Sequence, residues 1–381
     1  MIIKSMVLKN YRCFEDIEID FHEKLTVIVG DNGSGKTSIL EGMAVSLGTM
    51  FTGLDGQVGV SINKKDVRLK AYLMGESEDV QPQYPVEITA MGDIEGQTIT
   101  WKRSLNGENG GTTVKDAKAM TDIAKGYQKR MRDGDATLVL PVIAYYGTGR
   151  MWDYRSEKRT DAFKDNTKTN GYTDSLDGTA NIRLMMNWFK KKTIQRTQKR
   201  SEGLSTELSV VYRAMKICYE RITGYQGVDF EYNLDTNEIE CSYVGEDGLR
   251  MSIPLPQMSD GYKSTVSLIA DIAYRMAVLN PQLGANVIEE TDGVILIDEV
   301  DLHLHPAWQH RILGDLQEIF PRVQFIVTTH APAVISSAKS ENLVILEDCE
   351  AADTNTEIYG NDVNSILKDI MGVSDRVRRQ N

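Results

Sequence analysis

The chain of 381 residues has no apolar run that approaches a membrane span. The longest, such as GVILI at 293–297, fall far short of the roughly 20 residues a helical span needs. The opening IIKSMVLKNYRCF alternates like a strand from its first residues, so neither a secretory leader nor a membrane partner is expected. Cysteine is scarce. Cys13, Cys218, Cys241 and Cys349 are scattered with no CxxC pair, which excludes a sequence-evident disulfide framework and predicts buried free thiols in a reducing cytoplasm. Positive charge is also in short supply: at a formal net charge of −12 the chain is a poor bulk binder of nucleic acid, which needs many Lys and Arg on one surface. Only a local basic patch leaves that partner open. Repeats and low-complexity tracts are absent as well. What remains is a globular composition, long enough for one large domain or two ordinary ones.

The patterning is that of an α/β protein. IIKSMVLKNY and EDIEIDFHEKLTVIVG read as two strands around a turn, the second ending in LTVIV, suited to a buried central strand. A glycine-rich loop follows, then a helix from about Lys36 through Leu47. YPVEITAMGDIEGQTITWKRS (84–104) alternates about a GDIEG turn, which predicts an antiparallel hairpin. DATLVLPVIAYYGTGR (135–150) is a buried strand entering a glycine-containing loop. Residues 153–180 are polar, with almost no core-forming residues, and read as an irregular loop. Ile182, Met185, Met186 and Phe189, then Leu208, Val211, Met215 and Cys218, carry helical spacing across 181–223. A hairpin is expected over 228–244. Beyond it helix and strand alternate: 261–279, GVILID, AWQHRILGDLQEIF, VQFIVTT and a last helix near 362–371. That rhythm predicts a parallel sheet with helices packed on it.

Gly30-Asp31-Asn32-Gly33-Ser34-Gly35-Lys36-Thr37 satisfies G-x-x-x-x-G-K-[ST] between an apolar strand and a helix, the context a P-loop requires. Glycines let backbone N–H groups close around phosphate oxygens, and the helix N-terminus adds positive potential. Lys36 is expected to reach the β- and γ-phosphates, and the Thr37 hydroxyl to ligate Mg²⁺. Downstream, GVILIDEVDLHLHP closes an apolar strand with Asp298-Glu299, at the carboxyl edge where such sheets bind ligands. Asp298 is the candidate to hold Mg²⁺ through water, and Glu299 the candidate general base. VQFIVTTHAP delivers His330 where a γ-phosphate sensor is wanted; a satisfied structural histidine is the bland alternative. His303, His305 and His310 cluster nearby, but no Cys or further His completes a zinc ligand set in sequence. Met258-Ser259-Asp260-Gly261 opens a helix, either as an ordinary N-cap or as a helix start that faces phosphate.

The order of these motifs resembles the ABC-type ATPases of the SMC/RecF group, and MVLKNYRCFEDIEIDF is similar to that group's first strand. The resemblance implies an α/β fold: an ABC-type ATPase head with a mixed central sheet, an antiparallel β lobe and a helical insertion in place of a coiled coil. It divides the chain into an N-terminal ATPase lobe with its β subdomain (1–150), a polar loop with the helical insertion (151–227) and a C-terminal lobe (228–381). ATP and Mg²⁺ are the implied ligands, with nucleotide contacts from Arg12, Asn32, Gly33, Ser34, Gly35, Lys36, Thr37 and Ser38. Asp301 becomes the D-loop acid. Ser259, Asp260 and Gly261 become a signature that faces the nucleotide of a second copy, so a homodimer or a higher even-numbered oligomer is expected.

Two departures stand out. The usual LSGGQ reads MSDGY, placing Asp260 near phosphates and implying slow or partner-controlled hydrolysis. No glutamine follows VIAYY, where Thr148 or Arg150 stands instead as magnesium or phosphate contact. LPVIAYYGTGRMW, NGYTDSLDGTANIRLMMNWFK, SDGYKS and YGNDVNSILKDIMGV narrow the resemblance to stand-alone bacterial ATPases of the PtuA type, which accompany Septu and retron anti-phage systems. The similar segments span Met1 to about Val373. OLD-type nucleases, a related group, append a Toprim domain after the ATPase, but only about fifty residues follow His330, few for another catalytic domain. A separate effector nuclease is therefore the expected partner.

Arg183, Lys190, Lys191, Lys192, Arg196, Lys199 and Arg200 form a run without an acid. It is either a phosphate-binding or partner-docking face, or a solvated helix face. Three functions follow: an ATPase subunit of a defence system controlling a nuclease, a RecF/SMC-like repair ATPase that clamps DNA, and a nucleotide-gated scaffold with little turnover.

Overall fold

The computed structural model describes residues 1–74, 77–151, 167–178, 182–199, 202–245 and 248–352. Residues 2–30 form three strands rather than two: β1 (Ile2–Tyr11), β2 (Phe14–Asp20) and β3 (Leu25–Gly30). The segment expected as one strand is divided because its halves have different patterns. EDIEID alternates toward exposure and pairs antiparallel with β1, whereas LTVIVG is buried at every position. A strand buried on both faces belongs inside a parallel sheet. The chain changes sheets at 21–24, a corner fastened by Phe21 N donating to Lys4 O at 2.7 Å. The Gln324 amide reinforces it, donating to Ile3 O at 2.7 Å and His22 O at 3.0 Å.

β4 (Leu69–Met74) and β5 (Ser77–Pro82) make a hairpin that leaves Leu73 and Met74 exposed. β6 (Val86–Ile94) and β7 (Gln97–Leu105) form the expected hairpin and complete an antiparallel sheet in the order β2-β1-β6-β7. The remaining strands are β8 (Val142–Tyr146), β9 (Gln226–Asn233), β10 (Glu238–Val244), β11 (Arg250–Pro254), β12 (Gly293–Ile297), β13 (Val323–Thr329), β14 (Leu343–Glu347) and β15 (Glu350–Ala352). β11 extends the expected β9–β10 hairpin into a small antiparallel sheet. The central sheet runs β15-β14-β3-β13-β12-β8 and is parallel except for β15, hence mixed.

α1 (Lys36–Phe51) runs one turn beyond the expected Leu47 and is buried on nearly every side, because it packs against both the antiparallel and the central sheet. Trp101 Nε1 donates to Ser46 O at 3.1 Å, and buried Arg103 donates to Thr49 Oγ1 at 3.1 Å. α2 (Lys118–Arg132) packs beside it. α3 (Ile182–Lys199) and α4 (Glu202–Thr223) bury Met185, Phe189, Leu208, Val211, Met215 and Cys218, the apolar face their spacing predicts. α5 (Asp260–Leu279) meets this pair through Tyr274, whose ring lies 5.2 Å from Trp188.

Two expectations need correction. The described part of the polar segment, 167–178, does supply the core: Tyr172 and Leu176 are buried, and Tyr172 Oη donates to Pro141 O at 2.7 Å. One aromatic ring, tilted against Phe51 with centroids 4.8 Å apart, anchors a stretch that composition alone reads as irregular loop. AWQHRILGDLQEIF is not one helix but two short ones, Pro306–Gln309 and Ile312–Ile319. The helix expected near 362–371 lies outside the described residues. Among the described residues no helix is long and apolar enough to cross a membrane.

Candidate active site

β3, β13 and β12 are parallel neighbours, so the residues after Gly30, Ile297 and Thr329 gather at one sheet edge. The loop from Gly30 to Lys36 turns through positive φ at Gly33 (87°) and Gly35 (101°), where a side chain would be strained. At Gly35 a Cβ would also sit 2.3 Å from Phe14 Cζ. Asn32 is exposed and Ser38 half-buried on the first turn of α1. Ser34 Oγ is buried without a hydrogen-bond partner. Lys36 folds back over its own loop, donating to Gly30 O at 2.7 Å and Asp31 O at 2.8 Å. Burial lowers its pKa, against an opposing pull from Asp298, Glu299, Asp31 and Asp301.

Thr37 Oγ1 donates to Asp298 Oδ2 at 2.8 Å, joining the loop to the end of β12. Two residues missed in the sequence hold the acids. Thr328 Oγ1 donates to Asp298 Oδ1 at 2.6 Å and accepts from Glu299 N at 2.8 Å. Thr329 Oγ1 donates to Asp301 Oδ1 at 2.5 Å and accepts from Ala331 N at 3.0 Å. Adjacent strand residues point to opposite faces, so one strand end serves two acids. The available signal was VTT closing a strand parallel to the one bearing the acidic pair. Glu299 adopts φ 47°, turning the chain off β12, and Val300 N donates to Thr328 O at 2.9 Å. His330 follows the threonines and is exposed.

Arg12 adopts φ 55° between β1 and β2. Its guanidinium donates to Asp66 Oδ1 from Nε at 3.0 Å and from Nη2 at 2.9 Å, and also pairs with Glu41. Burial disfavours this charge, but Tyr11, Glu41 and Asp66 outweigh it and raise the pKa above the usual arginine value. Thr148 is exposed on the short turn Thr148–Met151 after β8, which also contains Arg150. Asp298 N donates to Tyr146 O at 2.8 Å, placing that turn beside the acidic pair's strand.

Ser259 occupies the N-cap position of α5, yet its exposed hydroxyl makes no capping bond. Asp260 accepts from Lys263 Nζ at 2.7 Å, a hydrogen bond that lowers its pKa. The acid's charge is thus answered within its own helix turn. A Cβ on Gly261 would stand 2.7 Å from His303 O, so α5 packs directly on the segment after Asp301. Tyr262 lies 4.5 Å from Trp308, and an open groove of about 650 Å³ runs past Ser259, Gly261, His303 and Trp308. The structure therefore gathers Lys36, Thr37, Asp298, Glu299 and Asp301 at one edge, while Ser259–Gly261 group with the chain beyond Asp301.

Along α3, Arg183, Lys190 and Arg196 are exposed. Lys192 pairs with Glu207 at 2.5 Å, Arg196 with Glu231 at 3.8 Å, and Lys190 Nζ donates to Asn237 Oδ1 at 2.7 Å. Lys191 is half-buried on the same helix, and the side chains of Lys199 and Arg200 lie outside the described residues. The acids come from α4 and β9, invisible to a reading of the run itself. The cysteines also differ from expectation: Cys218 and Cys241 are buried, but Cys13 and Cys349 are only half-buried.

A mixed sheet carrying a P-loop, an acidic pair and a histidine along one edge, with an antiparallel lobe and a serine-led helix, is the architecture of an ABC-type ATPase head. The chain belongs to the AAA domain family, whose profile matches residues 5–217, more than half of its length; a second AAA domain profile matches residues 148–336. It is similar to "Retron Ec83 probable ATPase" of Escherichia coli, at 26% identity over 98% of this chain and 77% of that protein. "Retron Vc95 probable ATPase" of Vibrio cholerae is also 26% identical, over 91% of this chain and 74% of that one. "Septu protein PtuA" of Bacillus thuringiensis is 25% identical, over 98% and 85%.

Proposed function

We propose that the chain is an ATPase that closes as a homodimer around ATP and serves a cytoplasmic anti-phage system, where it controls a separate effector nuclease. One observation carries the ATPase reading: the hydroxyl and the carboxylate that a P-loop enzyme needs on Mg²⁺ meet at 2.8 Å from positions 261 residues apart. Relatives named for retron and Septu systems support the defence setting.

The donor set fits the ligands. Ser34 Oγ is an orphaned buried hydroxyl in a loop whose glycines leave the backbone open, and Lys36 rests on carbonyls it can leave for phosphate. Thr37 and Asp298 would hold Mg²⁺, which when bound supplies positive charge against the phosphates. Asn32, Gly33, Ser34, Gly35 and Ser38 surround the phosphate tail, with Arg12 beside them. Glu299 takes the proton of the attacking water, and Thr328 fixes the backbone from which it reaches. His330 senses the γ-phosphate, and Asp301 shapes the contact between copies. Ser259 and Gly261 present the uncapped start of α5 to the nucleotide of the second copy. Thr148 or Arg150 takes the place of the absent glutamine. In this reading 1–150, 151–227 and 228–381 are the N-terminal lobe, the insertion and the C-terminal lobe. The basic face of α3 is the docking face for nucleic acid or the partner.

A second reading, a nucleotide-gated scaffold with little turnover, is favoured by Asp260 in the signature. The variants Lys36→Ala and Glu299→Gln test the proposal. The first loses ATP binding, and the second binds ATP but turns it over poorly. Unchanged affinity in Lys36→Ala removes the P-loop from the account, and normal turnover in Glu299→Gln moves the base elsewhere.

A further inference from the structure

Two of the four cysteines, from near opposite ends of the chain, converge on the phosphate loop. Cys13 lies in the turn between β1 and β2, and Cys349 in the turn between β14 and β15. Cys349 Sγ donates to Gly33 O at 3.7 Å. Cys13 Sγ lies 2.9 Å from the place a Cβ on Gly35 would take. Gly33 and Gly35 are next-but-one neighbours, so both thiols rest on one turn of the loop. The Cys349 thiol also acts directly on the Cys13 thiol, raising its pKa.

The backbone adds an independent sign. Glu347 pairs with Glu350, leaving Asp348 and Cys349 as a two-residue hairpin turn with φ of 48° and 64°. Such turns favour asparagine and glycine, because both central residues are left-handed. A cysteine there is strained, and its sulfur meets the carbonyl of Gly33.

We propose that Cys13 and Cys349 are an oxidisable thiol pair, and that a peroxide converts them into a disulfide which staples the two turns across Gly33–Gly35 and stops nucleotide binding. This control rests on the P-loop being the nucleotide site. Cys349 attacks one peroxide oxygen, water leaves, and a sulfenic acid remains. The Cys13 sulfur then attacks the sulfenic sulfur, closing the S–S bond and expelling hydroxide, which leaves as water with the Cys13 proton. The two sulfurs lose two electrons in all, and the peroxide is reduced to two waters. Burial, and next the neighbouring Cys349 thiol, push the Cys13 thiol up to about 12. Cys13 therefore stays protonated at neutral pH, which suits the thiol that attacks second. The disulfide also removes the Cys349 hydrogen bond to Gly33 and pins a loop that must open its amides to phosphate.

The test treats the full reduced chain with hydrogen peroxide, blocks remaining thiols, and digests it without reductant for mass spectrometry. A fluorescent ATP analogue reports binding before oxidation, after it, and after a thiol reductant. The expected result is a peptide linking Cys13 to Cys349, two hydrogens lighter than the separate pieces, with binding lost and then restored. Cys349→Ser forms no link and keeps its binding through peroxide. Absence of the linked peptide overturns the pair, and a link that leaves binding unchanged overturns the control. The same loss in Cys349→Ser overturns it too. A reduced wild-type chain that never binds the analogue overturns the nucleotide reading, a failure the linked peptide's mass does not share.

Discussion

Thr328→Val removes one hydroxyl from a position that is fully buried and preserves its shape. The hydroxyl's proton is committed, because Glu299 N–H can only donate to it; Thr328 must therefore donate to Asp298, at 2.6 Å. The variant deletes a hydrogen bond to a charged acceptor, worth about 1.5–3 kcal/mol, and strands the Glu299 amide at a further cost of roughly 1–3 kcal/mol. Part of this falls on stability. If about 1.4–2.8 kcal/mol falls on the transition state through a displaced Glu299, kcat drops roughly 10- to 100-fold. Steady-state kinetics then show a fall in kcat larger than any rise in the KM for ATP, since Asp298 loses one donor but Lys36 and the loop amides are untouched. Thr328→Ser restores the hydroxyl and most of the rate. A valine variant with wild-type kcat, or a serine variant as slow as the valine, refutes the reasoning.

Gly261→Ala places a methyl 2.7 Å from His303 O. Overpacking of this kind costs about 1–3 kcal/mol, so ATP-driven association and turnover fall while ATP binding by the single chain persists. Asp260→Gly speeds turnover if the acid is a brake that Lys263 only partly offsets, and equal steady-state rates make it a tolerated variant. Lys36 supplies the pH dependence. Burial lowers its folded pKa, so as pH rises through that value the free protein loses its ammonium and ATP affinity falls earlier than an exposed lysine would allow. The unfolded chain binds the extra proton in that window, so thermal stability rises slightly with pH there. Affinity and melting curves across the alkaline range check both signs, and flat affinity up to the ordinary lysine titration contradicts them.

The parts of the site written in contiguous residues were legible in the sequence. Gly30–Thr37 carries its own strand, loop and helix, and the parallel sheet was readable from the βα rhythm. The threonine hydroxyls were not, because Thr328 and Thr329 look like the end of another β-branched strand until β13 is laid beside β12. Cys13 and Cys349 sit in hairpin turns of two different sheets, and only the fold brings both sulfurs to the Gly33–Gly35 loop. Tyr172 was hidden by its polar neighbours, since composition averages over a segment while one ring decides where it packs. EDIEIDFHEKLTVIVG was misread because alternation changes to full burial within it, which marks a change of sheet. The acid-free basic run on α3 finds its carboxylates on α4 and β9, which no local window contains.

The central claim is that ATP joins two copies through the start of α5. Native mass measurement on Glu299→Gln, with and without ATP and Mg²⁺, tests it most directly. The account predicts that the 42.7 kDa chain doubles in mass only with ATP, and that adding Ser259→Arg returns it to a single copy that still binds nucleotide. A mass unaffected by ATP contradicts the claim, as does a dimer that forms equally well with Ser259→Arg in place.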